Sequence, residues 1–199
     1  MRGTGVRRTM LAATGVTTAA LGTFLVVAPS AAADSGHGGD SQRIRILDDC
    51  EAVSFTKAGI PCEGDGETTA EDFGAQLIDS GKLVANETVD GWEFKPGTVH
   101  IDHGDRLHAV NLGGEFHTFT EVAKYGGGCV EDLNLGAPPV DECPDDPNDP
   151  TIFITTGVPA GASLDVVGLD VGKHRFECLI HPWMRTTVTV RGGDHSGHG

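Results

Sequence analysis

The sequence predicts an all-β domain, an antiparallel sandwich or barrel of short strands with a small helical lead-in. Beyond Trp92, apolar and polar residues alternate in short runs, which is the pattern of half-buried strands. Gly, Pro, Asp and Asn turns separate the runs, and short strands at such regular spacing are typical of sandwiches and barrels. The predicted strands cover residues 98–102, 106–112, 117–122, 151–155, 163–167, 174–178 and 186–191.

A helix is predicted over residues 68–81, ahead of these strands. Thr69 followed by acidic residues is a helix-start signal, and Gly81 is a typical helix end. Phe73 and Leu77 repeat at helical spacing between these two signals. They give the helix an apolar face that can pack on the β domain.

Composition divides the chain into five segments. We expect a signal peptide over residues 1–33, a disordered tail over 34–43, an extension with one helix over 44–91, the β domain over 92–191, and a second disordered tail over 192–199. Inside the β domain, residues 125–150 lack a strand pattern and are too long for a turn, so we expect an insertion there. The tails carry histidines that either capture metal loosely or have no specific role, namely His37, His195 and His198.

The first 33 residues have the layout of a secretory signal peptide. A basic start with Arg2, Arg7 and Arg8 precedes an uncharged apolar run, and small residues over 29–33 offer a cleavage site. A membrane anchor is the alternative, but it fits less well because the run is rich in Gly, Thr and Ala. The arginine pair also suggests twin-arginine export. We therefore expect an exported protein that is periplasmic, extracellular or at the cell surface.

The mature chain is strongly acidic. The formal charge is −15, and removing the leader with its three arginines takes it to −18. Such a surface repels nucleic acid and anionic lipid, so neither is expected as a partner. No later apolar run is long enough for membrane insertion, and we expect a monomer. The charge either favours a basic partner protein or serves solubility alone.

Five cysteines leave one thiol unpaired if the compartment is oxidising. Cys50 and Cys62 bracket a short polar loop, and Cys129 and Cys143 bracket another. Three pairings of these four are possible, and the local one is favoured. Cys178 then remains as the free thiol.

Cys178 is predicted to lie at the inner end of a strand. Alternate side chains of a strand share a face, and Arg175 and Glu177 are charged, so they are expected to point to water. Phe176 and Cys178 then point inward. The thiol is therefore placed where a buried metal site can form.

The segment that begins at Cys178 carries a soft, mixed set of metal ligands. His181 follows after two residues and Met184 after two more, with Pro182 limiting the path of the chain. Thiolate and thioether favour copper(I), imidazole also serves copper(II), and two His with one Cys and a weak axial Met form electron-transfer copper sites. Zinc is the less suitable metal, since its sites more often use pairs of Cys and His. An incidental grouping around a buried cysteine is the other alternative.

A copper site of this kind needs a second histidine, and His117 fits best. It lies where one predicted strand ends and the next begins, so it can reach the end of a sandwich. The strand histidines with polar neighbours are expected to be solvated, one histidine lies in a turn, and one lies about 13 Å back along the strand of Cys178. These less suitable candidates are His100, His108, His103 and His174.

These motifs resemble those of the cupredoxins, the type 1 blue copper family, over roughly residues 92–191. The resemblance rests on Gly104-Asp105-Arg106-Leu107, Asn111, His117 and the run Cys178-Leu179-Ile180-His181-Pro182-Trp183-Met184. The ligand loop is most similar to that of amicyanin and plastocyanin. The resemblance implies a Greek-key β-sandwich with one copper ion at one end, held strongly by His117, Cys178 and His181 and weakly by Met184.

Two segments and one position depart from this family pattern. Residues 34–89 and the insertion over 125–150 lie outside the minimal pattern, and each is expected either to cover or to extend the docking face. In amicyanin and plastocyanin, Asn directly follows the first ligand histidine and helps to tie the ligand loops together. This chain has Thr118 there, whose hydroxyl offers another way to make the tie.

The function expected from this site is one-electron transfer between redox partners. His181 is expected to lie near the surface as the electron exit, with Pro182 and Trp183 as a docking patch and Phe116 nearby. Ordinary packing of Trp183 against the insertion is the alternative. Copper sequestration or delivery is the alternative. An enzyme is not expected, because a multinuclear copper site needs His-x-His pairs and further domains that this sequence lacks.

Overall fold

The computed structural model of this chain describes residues 39–146 and 149–192. The predicted signal peptide and the tail histidines lie outside these residues. No helix within the described ranges is long and apolar enough to cross a membrane.

The described residues are mostly β, as the sequence predicts. The strands are β1 (Ser41–Leu47), β2 (Glu93–Lys95), β3 (Thr98–Asp102), β4 (Arg106–Asn111), β5 (His117–Thr118), β6 (Thr120–Glu121), β7 (Gly157–Val158), β8 (Ser163–Val166), β9 (Gly172–Glu177) and β10 (Arg185–Arg191). The helices are α1 (Ala52–Lys57), α2 (Ala70–Ser80) and α3 (Thr151–Thr156), with a short 3-10 helix at Glu131–Leu133.

Eight of these strands form two four-stranded sheets. The order is β2–β1–β4–β8 in the first sheet and β3–β10–β9–β6 in the second, while β5 pairs with β7. Each large sheet contains one parallel pair, β1 with β4 and β3 with β10. The expectation of a purely antiparallel domain is therefore wrong. Both parallel pairs are joined by the long intervening segments that parallel pairing requires.

The two sheets share one hydrophobic core. Burial alternates along β3, β4 and β10, so that every second side chain faces inward. Full burial of a valine, leucine, isoleucine or phenylalanine side chain stabilises the folded state by about 1.5–3 kcal/mol. The strand residues in this core are Ile44, Ile46, Phe94, Val99, Ile101, Leu107, Ala109, Phe176, Val188 and Val190.

The segment before Trp92 is part of the sheet structure. β1 lies between β2 and β4, so the prediction of a disordered tail over 34–43 is wrong for residues 41–43. The alternation of Arg43 to Ile46 is itself a strand pattern, but it is short, charged and next to a polar tail. α1 is a second helix that the sequence analysis did not predict.

Helix α2 lies where the sequence predicts it. The Thr69 hydroxyl caps its start by accepting a hydrogen bond from the N–H of Asp72, at 3.1 Å. Gly81 ends it in the left-handed conformation with φ of 62°. Phe73 and Leu77 are its buried residues. The apolar face of α2 therefore packs on the domain core.

The predicted strand over residues 151–155 is wrong, because this segment forms α3. Its β-branched residues favour a strand, but Asp149 binds both the N–H and the hydroxyl of Thr151 at the first turn. Thr155 and Thr156 direct their hydroxyls back to carbonyls four residues earlier. These local bonds satisfy the polar groups of a helix turn. The predicted strand over 117–122 is also divided, into β5 and β6.

The insertion over residues 125–150 is fastened to the ligand end of the second sheet. Both local disulfides, Cys50–Cys62 and Cys129–Cys143, are confirmed, and Cys178 is the free cysteine. The N–H of Cys129 donates to the carbonyl of Leu179 at 2.6 Å. Leu179 also packs with Val122 and Val140 in a second small core. The insertion therefore contacts the strand end next to Cys178.

Glu177 is buried under this insertion, so the expectation that it points to water is wrong. Its side chain is 0% exposed and accepts hydrogen bonds from Arg185 at 2.9 Å and from the N–H of Gly126 at 3.3 Å. Burial raises the pKa of Glu177 to about 7, although Arg185 and Gly126 favour the charged form. The inward direction predicted for Phe176 and Cys178 is confirmed.

Replacing Ile46 tests the place of β1 inside the fold. We expect Ile46→Ala to lower the free energy of unfolding by about 2–5 kcal/mol, because it opens a cavity in the shared core. Arg45→Ala is the matched control on the opposite, exposed face of the same strand, with an expected change within about 0.5 kcal/mol. Denaturant unfolding of the two variants measures both values. Equal, small effects would show that β1 is an appendage.

Candidate metal centre

The three residues that are predicted to bind the metal strongly come from two chain segments, which meet at one end of the sandwich. His117 is the first residue of β5, directly after the loop over residues 112–116. Cys178 follows β9, and His181 lies in the turn before β10. The antiparallel pairing of β9 with β10 holds both ends of this turn.

The turn from Cys178 to Met184 is closed by its own backbone. The N–H of Cys178 donates to the carbonyl of Met184 at 3.1 Å, and the N–H of Met184 donates to the carbonyl of His181 at 2.9 Å. Met184 is fully buried and belongs to the domain core. The fourth predicted ligand therefore lies in the same fixed turn as the thiol and one imidazole.

Three donor atoms converge at this end. The Nδ1 atoms of His117 and His181 lie 3.3 Å apart, and the Sγ of Cys178 lies 3.7 Å from the first and 3.9 Å from the second. The point equidistant from atoms at these spacings lies about 2.1 Å from each of them, close to ordinary metal–nitrogen and metal–sulfur bond lengths. The donor set therefore fits one metal ion without movement of the chain.

The cluster is shielded from water. His117 and Cys178 are 0% exposed and His181 is 3% exposed. Burial raises the pKa of the Cys178 thiol, but hydrogen bonds and charge from His117 and His181 outweigh it, so the pKa lies well below its usual range. Two backbone N–H groups, of Thr118 and His181, also lie 3.4 and 3.5 Å from the sulfur. This environment favours the thiolate, the form that binds metals.

Thr118 ties the two ligand segments together. Its hydroxyl accepts a hydrogen bond from the N–H of Leu179 at 2.8 Å, and its own N–H points to the sulfur of Cys178. Asn111 fixes the preceding loop by donating to the carbonyls of Glu115 and Val158, both at 2.8 Å. The alternative tie suggested by the sequence is therefore present.

Asp48 is a residue of the site that sequence reasoning missed. It directly follows β1, and its Oδ2 lies 2.8 Å from the Nε2 of His117. The N–H groups of Gly114 and Glu115 also donate to this carboxylate, at 2.9 and 3.1 Å. Burial raises the pKa of Asp48, but His117 and these N–H groups lower it to about 2. A charged carboxylate therefore stands behind the first ligand histidine.

Glycine is required where Asp48 meets the loop over residues 112–116. A Cβ atom added at Gly113 would collide with the Oδ2 of Asp48, and one added at Gly114 would collide with the N–H of Gly64. The Gly113-Gly114 pair, predicted only as a turn, therefore allows the close approach of β1 to this loop. It is the only sequence signal for the contact, and it does not identify the partner.

The binding of a metal at His117 is coupled to the loss of a proton. Burial lowers the pKa of His117, but Asp48 and the thiolate of Cys178 raise it to about 9. Without metal, the ring is therefore held protonated between two negative groups. A metal bound to Nδ1 takes the place of that proton, so metal affinity falls as the pH falls.

A second buried carboxylate lies behind the other histidine. Glu115 Oε2 accepts a hydrogen bond from the indole N–H of Trp92 at 2.6 Å and lies 3.7 Å from the Nε2 of His181. Burial raises the pKa of Glu115, against the favourable charges of the histidines. Both ligand histidines thus have their outer nitrogen directed at a carboxyl group.

The expectation that His181, Pro182 and Trp183 lie at the surface is wrong, because all three are buried. Helix α2 places Phe73 against both rings, with centroids 6.1 Å from each, and Trp183 is 0% exposed. Phe116 is 38% exposed and remains a surface residue. The segment before Trp92 therefore covers this edge of the site, which is one of the two outcomes expected for it.

The less suitable histidines do not join the donor cluster. His108 pairs with Asp165 and His174 pairs with Glu121, both at 2.6 Å. His100 and His103 are exposed. In the described residues, the cluster of potential metal-binding His, Cys and acidic groups consists of His117, Cys178 and His181.

The comparisons with known proteins find distant structural likeness. No family model matches the chain, and no curated protein matches it. Among solved structures, a purple cupredoxin from Nitrosopumilus maritimus is similar with 13% identity and a TM-score of 0.36, over 75% of this chain and 98% of that one. A reduced amicyanin mutant is similar with 18% identity and a TM-score of 0.34, over 56% of this chain and 83% of that one. Plastocyanin from Dryopteris crassirhizoma is similar with 17% identity and a TM-score of 0.32, over 55% of this chain and 97% of that one.

All of these scores and identities are low. The geometry of the donor cluster, rather than this likeness, therefore carries the argument about what the chain does.

The tie made by Thr118 can be tested by removing its hydroxyl. We expect Thr118→Val to lower the free energy of unfolding of the metal-free protein by about 1–3 kcal/mol, because the buried N–H of Leu179 loses its acceptor. Thr118→Ser retains the hydroxyl and is the control. Denaturant unfolding measures the difference. A valine variant as stable as the serine variant would contradict the tie.

Proposed function

We propose that this chain is an exported type 1 copper protein of the cupredoxin kind, which carries one electron at a time between redox partners. The observation that carries this proposal is the convergence of two imidazole Nδ1 atoms and one thiolate around a point at bonding distance from all three. The Greek-key arrangement implied by the family resemblance is part of the proposal.

The chemistry of the donors favours copper over other metals. Thiolate with imidazole, together with a thioether as a weak axial ligand, is the set found in electron-transfer copper sites. His117, Cys178 and His181 are the proposed strong ligands and Met184 the proposed weak one. Zinc sites are more often completed by further Cys or His, and the other four cysteines form disulfides. When bound, copper supplies the one-electron couple between its +1 and +2 states.

The protein part of the mechanism is to keep the ligands still and dry. The closed turn from Cys178 to Met184, the Thr118 tie and the Asp48 contact fix every strong donor from at least one further side. Because the donors are already at metal-binding distances, a change of oxidation state needs little rearrangement of the chain. Burial excludes water from the donors.

The loop over residues 112–116, which leads into His117, offers a docking surface. Phe116 is 38% exposed and Leu112 is 51% exposed, and both lie in the loop that leads into His117. Since His181 is covered, we propose that a partner docks transiently on this loop. The acidic net charge favours a basic partner. A monomer is proposed, without nucleic-acid partners and without membrane insertion of the mature chain.

Export is supported by the redox state of the cysteines. Two disulfides are typical of proteins from oxidising compartments. Together with the signal-peptide layout of residues 1–33, they support a periplasmic, extracellular or cell-surface location.

Copper binding or sequestration without electron transfer is the second candidate. It is favoured by the cover that Phe73 and Trp183 form over His181, since that cover removes a direct electron route through this ring. The buried, closed ligand turn disfavours delivery, because a delivered ion must leave through it. An enzyme is not proposed, since the donor cluster of the described residues is suited to a single ion.

The copper site predicts a specific optical signature. Copper(II) added to purified mature protein is expected to give an intense visible thiolate-to-copper band and the matching electron spin resonance spectrum. Cys178→Ser removes the band because the thiolate is lost. Cys50→Ser is the control and retains the band. An unchanged spectrum in Cys178→Ser would rule out this site.

Electron transfer and sequestration predict different electrochemistry. A carrier whose ligands are fixed in both oxidation states is expected to show a reversible one-electron couple and fast electron self-exchange. Voltammetry and nuclear magnetic resonance line broadening in mixtures of both states measure these quantities. A sluggish, irreversible couple in protein with the full optical band would favour sequestration.

A further inference from the structure

We propose that Asp48 is the positioning residue of the metal centre, which fixes the ring of His117 with Nδ1 toward the metal and shifts the copper couple toward Cu(II). This inference rests on the proposed function. It concerns a residue that lies outside the ligand set and outside the segment that resembles cupredoxins.

The first argument is the geometry of the contact. Neutral imidazole carries a proton on one nitrogen and a lone pair on the other. Asp48 Oδ2 lies 2.8 Å from Nε2 of His117, so this nitrogen carries the proton and donates a hydrogen bond to the carboxylate. Nδ1, which faces the sulfur of Cys178 at 3.7 Å, is then the nitrogen that offers its lone pair to the metal.

The second argument is that the carboxylate itself cannot turn. Oδ1 accepts a hydrogen bond from the N–H of Gly114 at 2.9 Å, and Oδ2 accepts one from the N–H of Glu115 at 3.1 Å. The side chain is 0% exposed. The ring of His117 is therefore oriented by a group that is itself fixed on two sides, as outer partners of metal-binding histidines commonly are.

The third argument is electrostatic. A negative charge stabilises the more positive of two oxidation states, and its effect is strong where water is excluded. Asp48 is wholly buried and contacts a proposed copper ligand directly. Its carboxylate also makes the imidazole a stronger donor, which again favours Cu(II). Both effects lower the reduction potential.

Replacing the carboxylate by an amide tests this inference. In Asp48→Asn, the ratio of Cu(I) to Cu(II) at a fixed solution potential is expected to rise about tenfold, which for a one-electron couple corresponds to a potential about 59 mV higher. A redox titration of the copper-loaded protein, followed through its visible band, measures the ratio.

Asp49→Asn is the matched control. It removes the same charge one residue further along the chain, where Asp49 accepts hydrogen bonds from Thr68 and Glu67 and has no histidine contact in the described residues. Its shift is expected to be clearly smaller, because its carboxylate bonds to Thr68 and Glu67 and does not contact a proposed copper ligand. Equal shifts in the two variants would overturn the inference.

A measurement on the unmodified protein covers the case in which Asp48→Asn does not fold. In the diamagnetic Cu(I) form, nitrogen-15 and proton resonance of the His117 ring is expected to show a proton on Nε2 that exchanges slowly with water and is strongly hydrogen-bonded. A ring without a proton on Nε2, or one whose proton exchanges freely, would overturn the inference.

These outcomes separate the two levels of the argument. A protein without the thiolate-to-copper band would overturn the proposed function, and the inference with it. A protein with the band but without a specific Asp48 effect on potential and ring proton would leave the copper site intact and overturn the inference alone.

Discussion

The pairing of β1 between β2 and β4 is the constraint on which the rest of the structure depends. It fills the first sheet, supplies Ile44 and Ile46 to the shared core, and ends at Asp48 behind the first ligand histidine. The chain then continues into the two helices, so the position of β1 also determines which edge of the site they cover. A segment that looks peripheral in the sequence thus sets the environment of the centre.

The grouping of donor side chains could largely be predicted from sequence, because most of its signals are local. The odd cysteine count, the phase of the strand before Cys178 and the spacing to His181 each depend on nearby residues, and the structure brings these two side chains together with His117. His117 needed elimination and family resemblance, since its distance from Cys178 along the chain carries no local signal. The strand that ends directly before Cys178 and both disulfides follow the same local rules.

The surroundings of the ligands could not be predicted, because they depend on long-range contacts. Glu177 follows the alternation of a strand whose outer face is free, but the insertion covers that face and buries it. Trp183 is expected at the surface because it lies in a loop that the family resemblance places at an open end of the sandwich. In the structure, Phe73 of α2 lies against it. Asp48 is one of many acidic residues in an acidic chain, and only the fold distinguishes it. For residues 151–155, by contrast, the prediction fails because of local contacts. Their side chains favour a strand, but local hydroxyl bonds accompany a helix there.

The single free thiol has a consequence for how the chain matures. Thiols exchange with disulfides as long as they are accessible, so an unpaired cysteine can form wrong disulfides before the chain has folded. The two disulfides close short loops, with sequence separations of 12 and 14, whereas Cys178 becomes inaccessible only when β9 and β10 have paired around it. Wrong disulfides with Cys178 are therefore restricted to the time before this hairpin closes. Completion of the sandwich is thus also the step that removes the one free thiol from disulfide exchange.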